Sequence, residues 1–190
     1  MSSWFFLAIT LCYPLLMEPI TSQQKFYFLL LVFITTFLLP LISIAIFKLT
    51  GSISSLELPE RGERFMPLLF VSLIYGLTLY LVFFKLSVNA LVTGVFAGIT
   101  LLLLLLTFIS LKWQISLHSA SAGGVAGYLV ALLVRDPGSE ALLYLASAFI
   151  ILTGLIMSAR LKLNAHSLEE VGAGSLLGFI ICFFVLYTIP

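Results

Sequence analysis

Of the chain's 190 residues, 62% are hydrophobic and only 9% are charged. A water-soluble domain carries roughly 25% charged residues, so the shortage excludes a soluble fold and marks a polytopic membrane protein. Nine Lys and Arg against eight Asp and Glu leave a formal charge of +1, too little field to attract nucleic acid, and the only cysteines, Cys12 and Cys182, sit in apolar runs that support neither a disulfide framework nor a thiolate metal site.

The gaps between charges define the elements. Charge-free stretches run 1–17, 26–47, 65–84, 86–111, 113–134, 141–159 and 171–190. Each is close to the ~20 residues a helix needs to cross a hydrocarbon core. Runs such as LVTGVFAGITLLLLLLTFISL lack the alternation of a barrel strand, so the fold class is all-α with six to seven transmembrane helices. The first stretch is short and holds Pro14; it lacks the positive start and small-residue cleavage site of a signal peptide, and reads as a retained, short or tilted helix. In the second, Pro40 frees the carbonyl of Thr36, with the hydroxyls of Thr35 and Thr36 beside it, which predicts a kink. No internal repeat stands out. The longest polar connection, roughly 48–66, is too short for a domain of its own, so residues 1–190 form a single integral-membrane domain.

Seven consecutive crossings sort the loops onto two faces. One face gathers Lys48, Arg61, Arg64, Lys112, Arg160 and Lys162, six of the nine basic residues, together with both histidines, His118 and His166. The other receives the loops around Glu18 to Lys25, Lys85, and Arg135 to Glu140. Ionisable groups at a membrane are commonly functional, although a positive-inside bias produces the same asymmetry. The spans carry no clear ionisable residue at mid-depth, which argues against a transporter or channel.

Two segments of the histidine face carry the chemistry. KWQISLHSASAGG, residues 112–124, puts Ser116 and His118 at the start of the fifth span, where free N–H groups and the helix dipole favour an anion. The same segment also reads as a serine cap, with Gly123, Gly124 and Gly127 as a close-packing stripe. SARLKLNAHSLEEVGAG, residues 158–174, places Arg160 at the end of the sixth span and His166 just before the seventh, in the spacing Arg160-x5-His166-x3-Glu170. Arginine suits phosphate, and a neutral imidazole suits nucleophilic or proton-transfer work. Here too a structural reading stands beside the chemical one, since Ser167-x-x-Glu170 is a capping box and Arg160 complements a helix end. The loop ELPERGERFMP, residues 57–67, adds Arg61 and Arg64 as phosphate ligands, with Pro59 suited to a first helical turn and Glu60 set to pair with Arg64. No Asp-x-x-x-Asp, His-Glu-x-x-His or Gly-x-Ser-x-Gly motif is present, and the single aspartate, Asp136, is on the other face. No metal and no cofactor are expected.

These residues resemble the motifs of the type 2 phosphatidic acid phosphatase family, membrane lipid phosphate phosphatases that share a helical core with the vanadium haloperoxidases. That family carries Lys-x6-Arg-Pro, Pro-Ser-Gly-His and Ser-Arg-x5-His-x3-Asp. The third is matched by Ala159, Arg160, His166 and Glu170, with a similar continuation at Val171, Ala173 and Gly174. The second is matched by Ser116 and His118, with Ile115 and Leu117 in place of proline and glycine. The first is degenerate: neither Arg61 nor Arg64 has a lysine seven residues earlier or a proline next. The likeness covers about residues 57–178.

The resemblance implies a lipid phosphate phosphatase-like bundle that hydrolyses a lipid phosphate or pyrophosphate monoester, without metal, through a phosphohistidine. His166 would be the nucleophile, Glu170 its orienting partner and His118 the proton donor. Arg160, Ser116 and Arg64, Arg61 or Lys112 would neutralise the phosphoryl group, and the lipid tail would enter sideways from the membrane. It also implies a bacterial inner membrane, with the side of the active face open. Glutamate in place of aspartate, Leu117 in place of glycine and the degenerate first motif keep a second expectation in view: an attenuated relative that binds an anionic lipid through Arg160 and Lys112 without turnover.

Overall fold

The structure is a computed structural model that describes residues 5, 7–9, 13, 21–55, 61–86 and 88–189, with Ser22 and Arg61 described by backbone alone. Among these residues there is no strand. Helix α1 (Ser22–Phe33) runs through a π turn (Ile34–Leu38) into α2 (Leu39–Leu49); α3 (Arg61–Lys85), α4 (Ala90–Ile109), α5 (Leu117–Arg135), α6 (Glu140–Lys162) and α7 (Leu168–Thr188) follow. Six helical segments, with α1 and α2 counted as one, are long and apolar enough to cross a membrane. The protein is an all-α, integral membrane protein.

Polar caps, rather than the last charge, set the helix starts. Asn89 accepts from Leu91 N at 2.9 Å, so α4 begins at Ala90 although the charge-free stretch begins at 86. Ser116 caps α5 and Ser139 caps α6, each accepting from the backbone N–H three residues on. Thr21 with Gln24 and Ser167 with Glu170 form reciprocal capping boxes on α1 and α7. The expected box at Ser167 is present.

The disturbance expected at Pro40 takes the form of the π turn. Leu39 N–H bonds Ile34 O, five residues back. The hydroxyls of Thr35 and Thr36 bond the carbonyls of Leu31 and Val32 at 3.0 and 2.8 Å. The carbonyl of Thr36, deprived by proline of its α-helical donor, accepts the hydroxyl of Tyr75 from α3 at 3.3 Å.

Polarity is arranged for lipid. Large apolar side chains stand outward at helical spacing, as at Phe26, Leu30, Phe33, Phe37 and Leu41 on α1–α2 and Leu176, Ile180 and Phe184 on α7. The centre is built instead from small residues. Helix α5, the most enclosed span, buries Ser119, Ala120, Ala122, Gly123, Gly124, Ala126 and Gly127. A methyl added at Gly123 would meet the carbonyl of Ser175, and one at Gly178 the carbonyl of Ala120, so α5 and α7 approach backbone to backbone. In lipid, where apolar burial drives little association, such contact is what holds helices together. The glycine stripe of α5 is therefore a packing device.

The far end of this pair is tied by Arg135, which donates to the carbonyls of Tyr187 and Ile189. Asp136 beside it accepts the Tyr13 hydroxyl at 3.0 Å. The first charge-free stretch lies mostly outside the described residues, but Phe5 and Ile9 are buried in the core, and the Phe5 ring is 6.0 Å from that of Tyr128.

Candidate functional site

At the opposite end, the starts of α5 and α7 and the end of α6 meet. Their junction is covalent sequence turned into geometry by two motifs. Asn164 adopts φ 50°, and Ala165 N and Asn164 N bond Arg160 O at 3.2 Å and Leu161 O at 3.0 Å, which closes α6 in a Schellman turn. The capping box at Ser167 then opens α7 at once. Between these two turns His166 is held beside the helix end that carries Arg160. The two approaching strands of backbone are joined by Ser116 N donating to Glu170 O at 3.2 Å.

His166 is the best-defined side chain of the group. Its side chain is 3% exposed, and Nδ1 lies 3.0 Å from Glu170 Oε2 and 3.1 Å from Gln114 O. Both partners are acceptors, so Nδ1 carries the hydrogen, and in the ring's neutral form the lone pair is on Nε2. Glu170 does two tasks with one oxygen: Oε2 also accepts Ser167 N at 3.1 Å. Glu170 thus both caps α7 and contacts the His166 ring.

Arg160 and His166 both stand within electrostatic range of His118. His118 is exposed at the start of α5, and Ser121 Oγ donates to its carbonyl at 3.0 Å. Arg160 is half-buried, and its Nε is buried with no hydrogen-bond partner. A buried guanidinium N–H without an acceptor is costly, and an oxyanion is its natural complement.

The remaining expected residues divide. Ser116 is fully buried and its Oγ accepts from Ser119 N at 3.4 Å and Ser119 Oγ at 3.0 Å, which makes it a helix cap. Arg64 is 6% exposed in the first turns of α3, and Lys112 is exposed in the turn after α4. The side chain of Arg61 and all of Pro59 and Glu60 lie outside the described residues. Lys48 bonds Ser54 O, and Ser54 N and Oγ both donate to Glu63 Oε2 at 2.8 Å, tying the end of α2 to the start of α3 on this same face. Among the described residues no three His, Cys, Asp or Glu side chains come together.

Two participants had escaped the sequence reading. Gln114 acts through its backbone carbonyl, which leaves no trace in residue type. Asn164 had a readable signal, an asparagine just past a helix ending in Arg and Lys, where a left-handed residue is common.

Two hollows accompany the bundle. One of ≈170 Å³ is lined by Leu117, Ser121, Val125 and Tyr128 of α5 together with residues such as Tyr75, Leu102 and Cys182; none of His118, Arg160, His166 and Glu170 lines it. A larger one of ≈700 Å³ lies between α3, α4 and Ile189 toward the other end, and among the described residues its wall carries no acid, amine or guanidinium. No family model, no curated protein and no solved structure matches this chain.

Proposed function

We propose that the protein is a membrane lipid phosphatase that hydrolyses a lipid phosphate or pyrophosphate monoester through a phosphohistidine, a divergent relative of the type 2 phosphatidic acid phosphatases in a bacterial inner membrane. The observation that carries this reading is the position of His166 Nδ1 between two acceptors, because it leaves Nε2 as the nucleophilic atom. The motif resemblance and the unpartnered Nε of Arg160 support it.

In this scheme Nε2 of His166 attacks phosphorus and the P–O bond to the lipid breaks. Glu170 offsets the positive charge that develops on the imidazole. His118 gives a proton to the departing oxygen, then takes one from the water that attacks the phosphohistidine; phosphate leaves and His166 returns to its neutral form. Arg160, with Arg64, Arg61 or Lys112 in support, neutralises the equatorial oxygens.

The test is phosphate release from a micellar lipid phosphate by the purified chain. His166→Ala is expected to lower the rate at least about a thousandfold while helix content and elution volume stay unchanged. Full activity in that variant defeats the assignment.

A second reading keeps the scaffold without turnover, as an anionic-lipid-binding protein. It is favoured by Ser116, whose oxygen is already engaged as a cap. It predicts lipid-phosphate binding that Arg160→Ala removes, with no phosphate released by the unaltered chain.

A further inference from the structure

His166, Glu170, Gly174, Gly178 and Cys182 follow one another at intervals of four, so the candidate site and the glycine contact with α5 lie on one stripe of α7 and the turn before it. Ser116, Ala120 and Gly124 run down α5 at the same interval and face that stripe rung for rung. A methyl on Gly174 would lie 2.7 Å from Ser116 O, one on Gly178 would meet Ala120 O, and one on Gly124 would lie 3.0 Å from Cys182 Sγ. Both helices start at the histidine face, so the pair is parallel and a single register serves every rung.

Beyond the first rung that register is expressed as hydrogen bonds. Ser116 N donates to Glu170 O at 3.2 Å, and two residues earlier Gln114 O accepts His166 Nδ1 at 3.1 Å. Ile115 between them is 2% exposed and Ser116 is fully buried, so packing as well as hydrogen bonding fixes this segment.

We propose that Gly174 is a positioning residue for His166, acting through the backbone of Gln114 to Ser116. A real Cβ is essentially never found within 3.0 Å of another heavy atom, and the Ser116 carbonyl is backbone that cannot rotate aside. A side chain at position 174 therefore drives the start of α5 off α7, from 2.7 Å to at least the 3.4 Å of ordinary contact. The same displacement carries Gln114 O from 3.1 Å past the ~3.5 Å at which a hydrogen bond ends. Nδ1 is then left with Glu170 Oε2, an oxygen already shared with Ser167 N. The consequence for catalysis rests on the phosphatase reading, in which the held Nδ1–H aims Nε2 at phosphorus; the consequence for the ring does not.

The experiment reads the ring directly. The chain has two histidines, so 15N-histidine labelling of the purified protein in detergent gives an imidazole spectrum that His118→Gln assigns. Gly174→Ala is expected to speed exchange of the His166 Nδ1–H proton with water at least about fivefold, the worth of one hydrogen bond. The control is Gly127→Ala, whose methyl meets the Phe179 carbonyl in the same kind of backbone clash, about 16 Å along α5 from Ser116. It is expected to lower the unfolding temperature and leave the exchange rate within about twofold. Ile115→Val trims the side chain whose Cγ1 lies 3.5 Å from the position of the Gly174 methyl. It is expected to speed exchange about twofold by loosening the segment, and it carries the test if Gly174→Ala does not fold. Absence of the Nδ1–H signal from the unaltered chain, exchange unmoved by the folded variant at 174 or 115, or equal acceleration in Gly127→Ala overturns the proposal. In phosphate release, Gly174→Ala is expected to lose about tenfold or more in kcat with KM within about twofold. An equal loss of kcat in Gly127→Ala also overturns it. Faster exchange in Gly174→Ala alone upholds the positioning role even if the unaltered chain releases no phosphate, in which case only the phosphatase reading falls.

Discussion

Glu170 accepts both Ser167 N and His166 Nδ1 on one oxygen, and the two interactions separate by substitution. Glu170→Gln keeps a carbonyl oxygen for the cap but removes the negative charge that steadies a positively charged imidazole. Thermal stability is expected to fall by under about 1 kcal/mol, the worth of a helix cap. Phosphate release is expected to fall about a hundredfold, the lower range for loss of an acid–base partner. A variant that loses stability and activity in proportion would reduce Glu170 to a cap. At this scale the sequence was legible where chemistry depends on residue type: His118, Arg160, His166 and Glu170 share one end of the bundle. At Ser116 it left two readings open, anion ligand and cap, because a serine at a helix start has the same spacing whether its hydroxyl faces an anion or a backbone amide; in the structure the hydroxyl serves as the cap. Gln114 was invisible for the reason that any residue brings a carbonyl.

Between residues and the whole lie the helix pairs, and their glycines make opposite predictions according to what stands nearby. Gly178 on α7 would drive a methyl into the carbonyl of Ala120, a backbone atom that cannot rotate aside, whereas Gly154 within α6 has open space at that position. Gly178→Ala is expected to cost about 1–3 kcal/mol, read as a lowered unfolding temperature in detergent, with loss of whatever activity depends on the α5–α7 junction. Gly154→Ala is expected to be neutral or to stabilise by up to about 1 kcal/mol, since it gains helix propensity and meets nothing. The π turn offers a second check. Tyr75→Phe removes the hydroxyl bonded to the Thr36 carbonyl and is expected to cost about 1 kcal/mol. The cost should shrink in a Pro40→Ala background, where residue 40 regains an N–H four residues after Thr36. A disturbance at Pro40 was legible, because proline's missing donor is a local fact. Its repair by Tyr75 was not, because the partner lies 39 residues away on another helix.

For the molecule as a whole, counting charge-free stretches recovered the six spans from Gln23 to Thr188 because charge is what a bilayer excludes, and it missed the helix starts because short polar caps are invisible to such a count. Parity carried further than any motif: once the spans alternate, both histidines must share a face. The structure joins their helices at that face through His166, Gln114, Ser116 and Glu170, while Arg135, Tyr187 and Ile189 are joined at the other. That arrangement has a test independent of any reaction. With Cys12 and Cys182 replaced by alanine, single cysteines at Lys112 and Lys162 are expected to react with a membrane-impermeant maleimide from one side of sealed vesicles. Cysteines at Lys85 and Glu140 are expected to react only from the other. Labelling of Lys112 and Lys162 from opposite sides would break the parity, separate His118 from His166 by the thickness of the membrane, and with them remove the site and the reaction built on it.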